Sequence, residues 1–145
     1  MRNDYAKLNH WQRLMRGGQV MVIAVRKRMA DEVLELIDEG FENQKDPYGN
    51  PWAPKKKPDG RRILHGRTLK LRTRWHTVPV AYNKFIAQPG VDYAAPHQAP
   101  RFNRRPRRAM VPFARRKLPV KWRARLMRAA IFGFVAIIRE RLRGL

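Results

Sequence analysis

A chain of 145 residues, 43% of them hydrophobic, holds one domain with one modest core and is too apolar to be disordered throughout. It has no cysteine, which excludes disulfides, thiolate metal sites and cysteine nucleophiles. Its net charge of +22 falls entirely in residues 51–145, where 25 basic residues face only Asp59, Asp92 and Glu140, a surface that calls for a polyanion or an acidic protein partner.

Asn3 to Arg16 reads as a short helix carrying Tyr5, Leu8, Trp11 and Met15, and Gly17-Gly18 is expected to end it. No secretory signal is readable in the opening residues, which carry charge where an apolar stretch would have to lie. Gln19 to about Asn43 is the clearest helix. Val22, Val25, Met29, Val33, Leu36, Ile37 and Phe41 share one stripe. Its second half, Asp31 to Glu42, is acidic, which opposes the helix dipole. Those carboxylates are either an ordinary solvated face or a surface for a neighbour's basic residues.

Asp46 to Gly60, DPYGNPWAPKKKPDG, carries too much proline and glycine for regular structure and predicts an ordered loop. Asp46-Pro47-Tyr48-Gly49 has the type I turn pattern, and Trp52 is expected to fold back as an anchor. Arg61 to Arg74 is short helical or irregular. Trp75–Val80 and Tyr82–Ala87 read as two short strands, with a turn near Pro89-Gly90. Val91 to Gln98 leads into a basic arm, Ala99 to Lys117.

Pro119 opens the last helix, Val120 to about Leu142, with Trp122, Leu126, Ala129 or Ala130, Phe132 or Gly133, and Ile137 on its apolar side. Its middle, Ala129 to Ile138, is apolar all round. That run is about half the ~20 residues a membrane span needs, so no membrane partner is expected. A belt apolar on every side implies a subunit interface, to which Trp122, Leu126, Phe132, Phe134 and Ile137 are assigned. The resulting fold class is α+β: the long second helix and the C-terminal helix packed on a small antiparallel sheet, with the loop and the arm projecting.

Nothing in the chain reads as catalytic. His10, His65, His76 and His97 show no metal-ligand spacing, and the acidic residues lie almost wholly on one helix. No metal or cofactor is expected. In the arm, Arg101, Arg104, Arg105, Arg107, Arg108, Arg115, Arg116 and Lys117 are the candidates for contact with DNA or with an acidic protein face. Phe102 and Phe113, interleaved among them, either stack on bases or pack against protein.

Several short motifs follow one another in a telling order. Phe41 closes the long helix, and Asp46-Pro47-Tyr48-Gly49-Asn50-Pro51-Trp52 comes after it. Ile63-Leu64-His65-Gly66-Arg67-Thr68-Leu69 is next, then Tyr93-Ala94-Ala95-Pro96-His97-Gln98, then Pro106-Arg107-Arg108-Ala109-Met110 before the terminal helix. From about Ala24 to Leu142 this order resembles the phage virion morphogenesis family, the tail-completion proteins. The resemblance implies a structural protein, made in the host cytoplasm, that finishes tails and joins them to filled heads. It would act as a homo-oligomeric ring in the virion neck, hexameric if it matches a tail tube. Connector and tail-terminator or tail-tube proteins would be its neighbours, with DNA in the channel. The other class open to so basic a chain is a free nucleic-acid-binding protein.

Overall fold

A computed structural model of the chain describes residues 2–98 and 108–143; before Arg16 it describes the side chains of Asn9, Gln12 and Arg13 alone. Helix α1 (Arg2–Asn43) is followed by an irregular stretch and by the short α2 (Lys70–Thr73). Strands β1 (Trp75–Ala81) and β2 (Lys84–Pro89) come next, then a 3-10 turn (Asp92–Ala94), α3 (Ala95–Gln98) and α4 (Val120–Arg143). The α+β expectation holds, with long helices and a two-stranded antiparallel sheet.

The expected break at Gly17-Gly18 does not occur: α1 runs through both glycines as one helix of 42 residues. Each glycine costs roughly 1 kcal/mol against alanine, a penalty that tertiary contact can offset. Here α4 lies antiparallel along α1, and the Arg141 guanidinium donates to the Gly17 carbonyl at 3.1 Å. Farther along the pair, Gly133 is buried on α4 and faces the backbone of Val25.

The C-terminal end of α1 stops in a Schellman arrangement. Gln44 takes a left-handed φ of 52°, and the Lys45 N–H donates back to the Gly40 carbonyl at 3.1 Å. The chain therefore reverses over the end of the helix and brings Trp52 onto Phe41. Val33, Leu36, Ile37, Phe41, Trp52, Leu71, Ala94, Met110 and Trp122 form the core at this end of the molecule. Trp122 is thus interior to the single chain, which corrects its assignment to a subunit interface. Leu126 packs against the same core.

The hairpin differs from expectation in where its strands begin and end. Tyr82 and Asn83 make the turn, so the second strand begins at Lys84 and runs to Pro89. A bulge between Pro79 and Ala81 adjusts the pairing. Gly90 closes the base, donating to the Arg74 carbonyl at 2.8 Å; a Cβ there would lie 2.9 Å from that same oxygen. Trp75, Phe85 and Ala87 pack against the core, while α4 takes α1 as its main partner.

Two substitutions separate helix propensity from helix packing. Gly18 has open space around its Cβ position, so Gly18→Ala should raise unfolding stability by about 0.5–1 kcal/mol. At Gly133 a Cβ would meet the Val25 Cα at 3.1 Å, so Gly133→Leu should lose roughly 1–3 kcal/mol. Urea unfolding of both variants checks the pair.

Candidate functional site

The motif segments converge at the end of α1. Asp46 shapes its own loop: its Oδ1 accepts from the N–H of Tyr48 at 2.9 Å and of Asn50 at 2.8 Å, and its Oδ2 accepts from the Asn50 side chain. Gly49 closes the expected turn, donating to the Asp46 carbonyl at 3.0 Å with a φ of 90°. That turn delivers Trp52, 4% exposed, edge-on to Phe41 with ring centroids 5.3 Å apart. Its indole Nε1 donates to the Ala109 carbonyl at 3.1 Å.

The segment that receives Trp52 is held from both sides. The Gln98 Oε1 accepts from the N–H groups of Met110 (2.7 Å) and Val111 (3.1 Å), and its Nε2 donates to the Val111 carbonyl. The Arg108 N–H donates to the His97 carbonyl at 3.0 Å. The Arg108 guanidinium, 9% exposed, donates to the carbonyls of Ala53 and Pro54, both at 2.9 Å. Burial holds its pKa below the usual arginine value. Arg108 is therefore a staple between two motif segments, which removes it from the candidates for DNA or acidic-partner contact. Ala94 is buried, Tyr93 is half exposed, and Gly66 and Leu69 lie at the surface.

The rest of the arm divides. Arg101, Arg104, Arg105, Pro106 and Arg107, with Phe102, lie outside the described residues. Phe113 stacks on Tyr48 at 5.9 Å, and its N–H donates to the tyrosine hydroxyl at 3.2 Å. The Arg116 guanidinium sits over both rings, 5.4 Å from Phe113 and 5.8 Å from Tyr48. Arg115 and Lys117 are exposed, with no ion pair among the described residues.

Of the six carboxylates from Asp31 to Glu42, all but Asp31 are ion-paired within the chain, which leaves little of this face for a neighbour's basic residues. Arg125 reaches Glu32, Glu35 and Glu39, and Lys121 also reaches Glu39. Arg72 forks onto Asp38 at 2.6 and 2.9 Å and pairs with Glu42, which Arg62 reaches as well. Hydrogen bonds from Arg72 hold Asp38, and from Arg62 and Arg72 hold Glu42, below the usual carboxylate range. A groove of about 710 Å³ between this end of α1, the 45–49 turn and the start of α4 is lined by Tyr48, Met110 and Trp122; its one glutamate, Glu39, is already ion-paired.

Among the described residues no group of His, Asp and Glu is placed to hold a metal ion, and no helix is long and apolar enough to cross a membrane. Phe132 and Phe134 stay 62% and 46% exposed on α4, and Ile137 is half-buried. Comparison with family models, with curated proteins and with solved structures returns no match.

His65 is a half-buried titratable group beside this joint. Its ring stacks on Phe41 at 6.3 Å, and its buried Nε2 meets no hydrogen-bond partner. Burial, then Arg72 and Arg62, push its pKa down. The fold thus favours neutral His65, a contribution fully present above the unfolded pKa of about 6.5 and lost as pH falls through the depressed folded value. The urea midpoint should fall as pH is lowered from about 6.5, and His65→Leu should flatten that slope; an unchanged slope in the variant contradicts the assignment.

Proposed function

We propose that this chain is a non-enzymatic structural protein of a tailed-phage virion that completes the tail and joins it to the head. On this reading it works as a homo-oligomeric ring, hexameric to match a tail tube, stacked in the neck against connector and tail-terminator or tail-tube proteins. The observation that carries the reading is the joint itself. The motif segments that resemble the tail-completion family are distant in sequence, yet three of them close on one another at the end of α1. Their polar residues, Asp46, Gln98 and Arg108, bind backbone groups of the protein. Motifs used in this way suit a scaffold that acts through its surface and not through a reactive centre.

Contact between copies of a chain of charge +22 is easiest where charge is sparse. The hairpin meets that condition: Trp75 to Pro89 contains Lys84 as its only lysine or arginine and no carboxylate. Its outer face presents Val78 opposite Ile86, with Val80 and Tyr82 beside them, all 38–52% exposed. This face supports the homo-oligomeric part of the reading in place of Trp122 and Leu126.

The second reading, a free nucleic-acid-binding protein, is favoured by exposed Lys56, Lys57, Arg61, Arg67, Arg115 and Lys117, none of them ion-paired among the described residues. It predicts tight, salt-steep DNA binding by an isolated monomer. Electron microscopy of particles assembled without the protein separates the two. Unjoined heads and tails are expected; normal virions overturn the proposal. The variant Arg104→Gln, Arg105→Gln, Arg107→Gln, with Arg108 left in place to spare the joint, should lower the yield of joined particles.

A further inference from the structure

α4 carries two apolar faces, and α1 covers only one of them. Trp122, Ala129 and Gly133 are buried on that side, and Leu126 is half-buried. On the other side Val120, Ala124, Met127, Ile131, Phe134 and Ile138 follow in alternating steps of four and three residues. An average step of 3.5 residues keeps a seam facing one partner helix along its length, which a scattered apolar surface does not. Val120 is 74% exposed, Met127 60%, Ile131 56% and Phe134 46%, and Leu142, four residues past Ile138, is 64% exposed. The seam is continuous over most of a helix of 24 residues, a length of about 35 Å.

The residues beside the seam say what kind of helix fits it. Arg123 and Arg128 flank it, both exposed and neither ion-paired among the described residues. Flanking charges of this kind set partner choice in paired helices. A second copy has little negative charge to set against them: Glu32, Glu35, Asp38, Glu39, Glu42 and Asp59 are held in ion pairs and Asp46 in its own turn, and the exposed Asp31, Asp92 and Glu140 stand against a net charge of +22. Two α4 seams brought together would instead face arginine with arginine at one end in a parallel pair. In an antiparallel pair, they would set those arginines against the other end, where Arg139, Arg141 and Arg143 outnumber Glu140.

We propose that the outer seam of α4 is the docking site for an amphipathic helix of a partner protein whose seam is apolar and whose flanking positions are glutamate or aspartate. This rests on the reading of the chain as an assembly protein and names the chemistry of one neighbour. It leaves the hairpin for contact between copies.

The test uses the full chain and a synthetic helical peptide with leucine at the same alternating spacing and glutamate at the flanking positions. Two control peptides accompany it: one with lysine flanks, and one of identical composition with the leucine spacing scrambled. Fluorescence anisotropy should show the glutamate-flanked peptide binding at least about tenfold more tightly than either control. Ile131→Glu with Phe134→Glu, and separately Met127→Glu, should abolish the preference while far-UV circular dichroism stays unchanged. Equal binding of the scrambled peptide means charge attraction alone and overturns the proposal, as does absence of binding. A dimer of the chain lost in Ile131→Glu means that a second copy occupies the seam, and this also overturns it. Unjoined particles in the protein's absence, together with any of these negative results, would leave the neck reading standing and remove only the inference.

Discussion

The indole of Trp52 is the contact on which the rest of the structure depends. It lies edge-on to Phe41 at the end of α1 and donates its only N–H to the Ala109 carbonyl, so one side chain ties the helix, the 46–54 loop and the 108–111 segment together. Truncating a buried tryptophan costs roughly 3–5 kcal/mol, a large share of the stability of a small domain. The surrounding bonds serve the same geometry. Asp46 sets the loop that delivers the ring, Gln98 holds the Met110–Val111 backbone that receives it, and Arg108 binds the Ala53 and Pro54 carbonyls just beyond it. With Arg108 buried and bound to two carbonyls, its loss would remove the bonds that fix the 53–54 backbone against the 108–111 segment.

Charge is organised around that joint. A helix ending in Asp38, Glu39 and Glu42 opposes its own dipole and repels itself, and α1 tolerates this because Arg62, Arg72, Lys121 and Arg125 come from three other parts of the chain. Exposed and partly exposed pairs of this kind each add little to stability. Their larger effect is positional: Arg125 and Lys121 hold the start of α4 against the acidic half of α1, and Arg141 at Gly17 and the close approach of Gly133 continue the same alignment.

Local chemistry made much of this legible in the sequence. The Asp46–Gly49 turn, the anchoring of Trp52 and the apolar stripe of α1 each follow from residues a few positions apart. The misreadings share one cause: their outcome depends on residues far away in the chain. Gly17-Gly18 looks like a break until Arg141 of α4 is laid against it. Arg108 looks like one more arginine of a basic arm until the carbonyls of Ala53 and Pro54 are brought to it. Trp122 was read with the exposed phenylalanines of α4 because helical spacing alone does not say which face α1 covers. The steps of four and three from Val120 to Ile138 were visible, but the stronger apolar run from Ala129 to Ile138 obscured them.

The central physical claim is that the motif segments and the helices form one cooperative unit closed by Trp52. Native-state amide hydrogen exchange on the intact chain tests it most directly. Protection at Trp52, Arg108, Met110 and Val111, whose N–H groups are bonded in the joint, should match that of the buried half of α1. Free exchange at those amides while α1 stays protected would contradict it.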